Sequence, residues 1–536
     1  MDKEQKSASM QSQASILMGA TFAVRILGFL YRVWLTNKIL GNKGMGYNAA
    51  AYYIYTFVLL FSSAGLPSAI SKMVSERIAL KQYKESHMIF KTALVLATIF
   101  GLAGFLLLAL FSKFLSAHSV PEGYYSLIAL SPTILIAAIS AVFRGYFQGM
   151  RNMVPTAISQ VVEQLFNAIF SVLFAYIMVK GGLDLGAAGS SIGTGIGAAA
   201  GVLVIFGMYQ HLSKHIKNRI NSRKNIQESF AAPIALAKEL LTIAWPIIIG
   251  MAVLSLSNLV DIFLVSNRLA ASGAFTKDQI DNMYGLLTNK YMTLTTMPVS
   301  ISTAVAIVVI PNIARSMKLH DLTDIRNKIN EGLRLSMLLS IPAAIGLTVL
   351  GDPAIRMIYA SVPDGGILME FGSISIIFLA ITQTVTGMLQ GIGKVKIPVL
   401  GALASVIVKI IFNYILIAIP SINVIGAVIS TTLCYLVAGA IDIYFLWKFT
   451  GTRFDISGAF IKPLGASLIM GMFCYVSYNV LHYVFKSNTF SVLLAIVLGI
   501  GLYFVILVAV GGVDARFTKR IPILRKLAQK IDGILK

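Results

Sequence analysis

Two arginines stand inside the first apolar stretch, "SILMGATFAVRILGFLYRVWLTN" (residues 15–37): Arg25 near its middle and Arg32 seven residues on. Seven residues make almost two helical turns, so both side chains project along one stripe, with Gly28 close to it. A guanidinium is a planar fork matched to phosphate oxygens, so two on one face suit a diphosphate better than diffuse positive charge does. An arginine in hydrocarbon costs at least about 2.5 kcal/mol, so each needs water, a partner or an interface. The plainer account has Arg32 snorkelling to headgroups and Arg25 paired with an acid on another helix. Lys290, in "LLTNKYMTLTTMP", is a third candidate for holding an anionic substrate, and snorkelling explains it equally well.

Embedded acids form a second group: Glu163 in "QVVEQLFN", Asp261 in "LSNLVDIFLVSN" and Asp442. Asp261 has Asn258 one turn earlier, an oxygen-rich pair suited to a small cation such as sodium, and a helix contact accounts for it as well. In "ASVIVKIIFNYI", Lys409 and Asn413 share a helical face, and an ammonium there competes with sodium for an acid such as Asp261. No phosphate-cradling glycine loop and no metal-ligand cluster stands in the sequence, so neither a cofactor nor a metal site is assigned.

The elements that carry these residues must be membrane helices. The chain of 536 residues is 57% apolar and 12% charged, which excludes an ordinary soluble enzyme. A formal charge of +22 is spread over short segments between apolar runs, as topology signals are, and does not make a nucleic-acid surface. Cys434 and Cys474 lie in apolar segments and read as buried thiols. The opening "MDKEQKSASMQSQ" reads as a retained cytoplasmic segment leading into the first span.

Windows of about 20 apolar residues predict an all-α polytopic membrane protein with fourteen spans. They fall near 15–36, 50–71, 88–111, 124–147, 155–179, 186–209, 241–266, 287–311, 331–350, 367–390, 398–418, 424–446, 458–482 and 489–510. Most of the Lys and Arg residues then collect on one side, in "KMVSERIALKQYKESHMIFK", "KHIKNRINSRKN", "RSMKLHDLTDIRNK" and "RFTKRIPILRKLAQK", which places both termini in the cytoplasm. The expected organisation is a cytoplasmic segment (1–14), an N-lobe of six helices (15–210), a basic linker (211–240), a C-lobe of six helices (241–446), a final helix pair (447–510) and a basic tail (511–536).

The region after the linker echoes the region before it. "LPSAISKM" (66–73) matches "MPVSISTA" (297–304), and "FRGYFQGMRNMVP" (143–155) matches "VTGMLQGIGKVKIP" (385–398). In the second match Gly149 and Gly391 end one helix while Pro155 and Pro398 open the next. A six-helix repeat returns the chain to the same side, so the two lobes are parallel pseudo-repeats.

With "VRILGFLYRVW" in the first span, "AGLPSAISKMVSE" after the second and "MPVSISTAVAIVVIPNIA" in the eighth, the chain resembles the multidrug/oligosaccharidyl-lipid/polysaccharide exporter superfamily. Within it the likeness is to the polysaccharide-biosynthesis and stage V sporulation B group, which includes MurJ-type lipid II flippases. The resemblance implies a central cavity whose cations hold a lipid-linked diphosphate, with Arg25 on the first-helix motif and Lys290 where the pattern has arginine. Arg32 is displaced by one residue, about 100° of helix, from the motif's second arginine. The pattern's arginine pair on the second helix is replaced by "LLFSSAG". The resemblance also implies a groove for a polyprenyl tail along the last two helices, and a sodium site near Asp261 and Asn413, from which Lys409 departs.

The expectation is a flippase of the bacterial cytoplasmic membrane that moves lipid II, an undecaprenyl-diphosphate-linked saccharide, to the outer leaflet without covalent chemistry. Anionic membrane lipids and cell-wall synthesis proteins are its expected partners. Export of another undecaprenyl-linked unit, cation or drug antiport, and a scaffold for envelope-synthesis enzymes are the alternatives.

Overall fold

In a solvent without hydrogen-bonding partners the backbone must satisfy itself, and the apolar runs do so as helices. The computed structural model describes residues 3–221, 232–300, 302, 313, 316–317 and 321–512, and no strand occurs among them. The centre of the basic linker, most of the expected eighth span beyond residue 300 and the basic tail lie outside the described residues.

The first unit holds helices Lys3–Leu35, Gly41–Leu59, Leu66–Ala79, Tyr83–Ala117, Tyr124–Gly149, Val154–Met178, Leu183–Asn221 and nearly all of Pro233–Ala271, together with the short Lys277–Gly285. The second holds Leu322–Ile358, Gly366–Gly372, Ser375–Gly391, Lys396–Leu416, Ile425–Thr450, Lys462–Phe485 and Asn488–Ala509. The main boundary between the units falls at Asn267 and Arg268. The reason is contact: Leu236, Leu240, Ala244 and Ile248 join the first unit's core beside Ile70, Met73 and Phe147. A Cβ on Gly65 would lie 2.6 Å from the Ala244 carbonyl, so bare backbone is what lets that helix approach.

Among the described residues, eleven helices are long and apolar enough to cross a membrane, or twelve if the bent pair Gly366–Gly372 and Ser375–Gly391, 53° apart, forms one span. The expectation was fourteen. The first two expected spans fall in one helical run, Gly19–Ala79, which Gly41 interrupts with a φ of +61°, and the eighth lies largely outside the described residues.

Close helix packing in the first unit comes from "GAAGSSIGTGIGAAAG" (186–201). Gly189, Gly193 and Gly197 recur every fourth residue and lie so close to helix Val154–Met178 that a Cβ on Gly193 would meet the Ser171 nitrogen at 2.1 Å. In the second unit, Ile325, Ile329, Leu333, Met337 and Ile341 form one stripe against Ala380, Val385 and Leu389. Thr384 donates to Ser336 across that interface at 2.9 Å, and Ser336 donates in turn to Ser302 at 2.8 Å.

The matched "QGMR" and "QGIG" segments make the same turn. Arg151 and Gly393 are left-handed, at φ +60° and +79°, and their amides bond to the carbonyls of Gln148 and Gln390. The next amides, of Asn152 and Lys394, reach back to Phe147 and Leu389. This is the helix-ending motif that a glycine normally supplies. Pro155 then falls in the first turn of Val154–Met178 and Pro398 opens Lys396–Leu416, as the sequence pattern requires.

Candidate functional site

In the first unit, Arg25 is exposed on helix Lys3–Leu35, and Arg32 is half-buried near its end. Gly28, between them, faces helix Val154–Met178: a Cβ there would lie 3.4 Å from the Gln164 amide nitrogen. The Arg32 guanidinium sits 5.5 Å from the centroid of the Tyr52 ring, whose negative face attracts it.

A further guanidinium in this unit escaped the sequence reading. Arg144, inside helix Tyr124–Gly149, donates to Glu163 at 2.5 Å and to Ser159 at 3.3 Å. Its signal was present in "FRGYFQG", since it precedes the helix-ending Gly149 by more than a turn. The embedded acid Glu163 is thus engaged by Arg144.

Where the family pattern has an arginine pair, Ser62 and Ser63 turn their hydroxyls back on carbonyls, Ser62 on Phe100 at 3.1 Å and Ser63 on Leu59 at 3.0 Å. Asp261 is buried in helix Pro233–Ala271, with Asn258 half-buried one turn before it.

In the second unit, Lys290 lies in the last turn of a π-type segment, Leu286–Tyr291, and is 1% exposed. Its ammonium donates to the carbonyls of Val362 and Asp364, the latter at 2.7 Å, and lies 5.1 Å from the Tyr359 ring centroid. In this arrangement it fastens the segment before Gly366. Lys409 and Asn413, 1% and 0% exposed, share one face of helix Lys396–Leu416. The final pair Lys462–Phe485 and Asn488–Ala509 packs on helix Leu322–Ile358, where the Tyr503 hydroxyl donates to the Leu338 carbonyl at 2.8 Å. Among the described residues, no group of three or more His, Cys, Asp or Glu side chains is placed to hold a metal ion.

A bundle of apolar helices with buried and half-buried cations along its spans defines a multi-pass membrane transporter. Comparison with known proteins specifies the kind. Residues 11–317 match the family model "Polysaccharide biosynthesis protein", and residues 246–415 match "MatE". Stage V sporulation protein B of Bacillus subtilis (strain 168) is 25% identical over 519 residues, covering 96% of this chain and 97% of that one. The lipid II flippase MurJ of the same organism is 27% identical over 446 residues, covering 78% and 79%.

Among solved structures, MurJ in an inward closed conformation shares the fold at a TM-score of 0.68 and 19% identity, over 91% of this chain and 97% of that one. An inward-facing multidrug resistance MATE family transporter does so at 0.65 and 14%, over 80% and 94%. The chain belongs to the polysaccharide biosynthesis protein family, within the exporter superfamily that also holds the MurJ-type flippases.

Proposed function

We propose that this protein carries lipid II from the cytoplasmic to the outer leaflet of a bacterial membrane, its two lobes opening alternately while the polyprenyl tail stays in lipid. The observation that carries this reading is the stripe of Arg25, Gly28 and Arg32, with Arg25 exposed in the middle of an apolar span. A charge at that depth needs a protein partner, water or a ligand to offset its cost, and the diphosphate of a lipid-linked sugar is a ligand that a guanidinium fork fits. Arg25 is the principal anchor and Arg32, backed by Tyr52, supports it; Lys290 joins them only in a state that frees it from Val362 and Asp364. The reading takes fourteen crossings with both termini inside, lobes of six helices, and the last two helices as the tail's groove.

A membrane potential negative inside favours outward movement of the anion by about 2.3 kcal/mol per charge per 100 mV. That gradient drives the step without covalent chemistry. Moderate attraction in both states suits turnover, because what is taken up must be released.

A second reading is export of another polyprenyl-diphosphate-linked unit. It is favoured by Ser62 and Ser63, which leave the site less cationic than the MurJ pattern. Expression in a strain depleted of its essential lipid II flippase separates the two. Restored growth supports lipid II, and failure at normal membrane abundance supports the other unit.

A further inference from the structure

Asp442 lies on helix Ile425–Thr450, 1% exposed, in one of the spans. Its Oδ2 accepts a hydrogen bond from the Thr386 hydroxyl at 2.8 Å, and its Oδ1 has no hydrogen-bond partner. Oδ1 faces the bare backbone of helix Lys396–Leu416, where a Cβ on Gly401 would lie 3.1 Å away. The carboxylate is therefore enclosed by three helices and engaged by one neutral donor.

A carboxylate removed from water needs a compensating cation, or it is neutralised. The chain supplies such cations elsewhere: Glu163 has Arg144, and the buried Glu85 has Arg77 at 3.1 Å. Among the described residues no ion pair reaches Asp442.

The elements around it explain why. Helix Ser375–Gly391 carries no titratable side chain. Helix Lys396–Leu416 faces Asp442 with Gly401, and its Lys396 and Lys409 stand about 7.5 and 12 Å from Gly401 along the axis. From helix Leu322–Ile358, Arg326 is committed to the Thr450 carbonyl, two turns further along, at 3.0 Å. On Gly366–Gly372, Glu370 is exposed, and on Asp442's own helix Lys448 turns to the Phe445 ring.

We propose that Asp442 is a seat for a small monovalent cation, a proton or an alkali ion, which neutralises the carboxylate while these helices are packed and leaves when they part. The seat is distinct from the Asp261 and Asn413 positions. Its occupancy is linked to the packed arrangement, because a ligand that binds one state better shifts the equilibrium toward it. It rests on the transport reading only in making that linkage a coupling device.

Infrared difference spectroscopy of the full chain in lipid nanodiscs tests this without substrate, so its outcome is independent of lipid II translocation. Native protein is compared with Asp442→Asn at neutral pH, with and without added sodium or potassium chloride. A carbonyl stretch of a protonated carboxyl, lost in Asp442→Asn, identifies the proton. Carboxylate stretches that shift on addition of one alkali ion, and are lost in the variant, identify that ion. An ionised carboxylate insensitive to both salts overturns the proposal. Thr386→Val, which keeps the shape and removes the one donor, must move the same native band, and a band that stays in place also overturns it.

Discussion

Replacing Gly285 by alanine should lift the strap Lys277–Gly285 from the first unit. A Cβ on Gly285 would lie 2.0 Å from the Asn42 carbonyl oxygen, where real contacts essentially never fall below 3.0 Å, so the backbones must separate by about an ångström. The strap is held by a bond from Tyr47 to Asp281 at 2.8 Å and one from Asn42 to Asn282 at 3.0 Å. Lys43–Asp278 at 3.0 Å and Lys277–Glu122 are more exposed and add little. A hydrogen bond to a charged group contributes about 1.5–3 kcal/mol and a neutral one about 1 kcal/mol. An ångström of separation breaks both, so opening becomes easier by about 3 kcal/mol, roughly a hundredfold. Ile280, 7% exposed in the closed strap, becomes the reporter as Ile280→Cys in a background without Cys434 and Cys474. Its alkylation should accelerate about a hundredfold when Gly285→Ala is added. An unchanged labelling rate would refute the reasoning.

Three further outcomes follow from the packing. Gly193→Ala should cost about 1–3 kcal/mol and lower the thermal midpoint in detergent, whereas Gly207→Ala, with nothing within 4 Å, should be neutral or slightly stabilising. Arg151→Gly should raise the midpoint by the equivalent of about 1 kcal/mol, since the residue stands at φ +60° where its counterpart is Gly393. Arg144→Met should destabilise more than the double change Arg144→Met with Glu163→Gln, because the single change leaves a half-buried carboxylate without its cation; equal midpoints would count against the pairing.

What the sequence made legible is what depends on neighbours along the chain. Apolar runs became helices because hydrocarbon leaves the backbone no alternative, and Gly149, Pro155, Gly391 and Pro398 ended and opened helices where local stereochemistry demands. The matched turns were readable for the same reason, each being made within a six-residue segment.

Contacts between distant residues were not legible. Lys290 read equally as a binding or a snorkelling cation; its ammonium is seated on the carbonyls of Val362 and Asp364, and nothing near residue 290 announces them. Arg144 and Glu163 stand on different helices, and only the packing of those helices reveals the pair. The packing of helix Pro233–Ala271 on the first unit's core likewise depends on residues distant in sequence, Gly65 meeting Ala244 among them.

The most direct test is the movement of lipid II between leaflets of proteoliposomes, measured for the native protein and for Arg25→Ala at matched reconstitution. The account predicts translocation by the native protein and a loss of tenfold or more on removing the guanidinium, with partial recovery in Arg25→Lys. Equal rates for native protein and Arg25→Ala would contradict it.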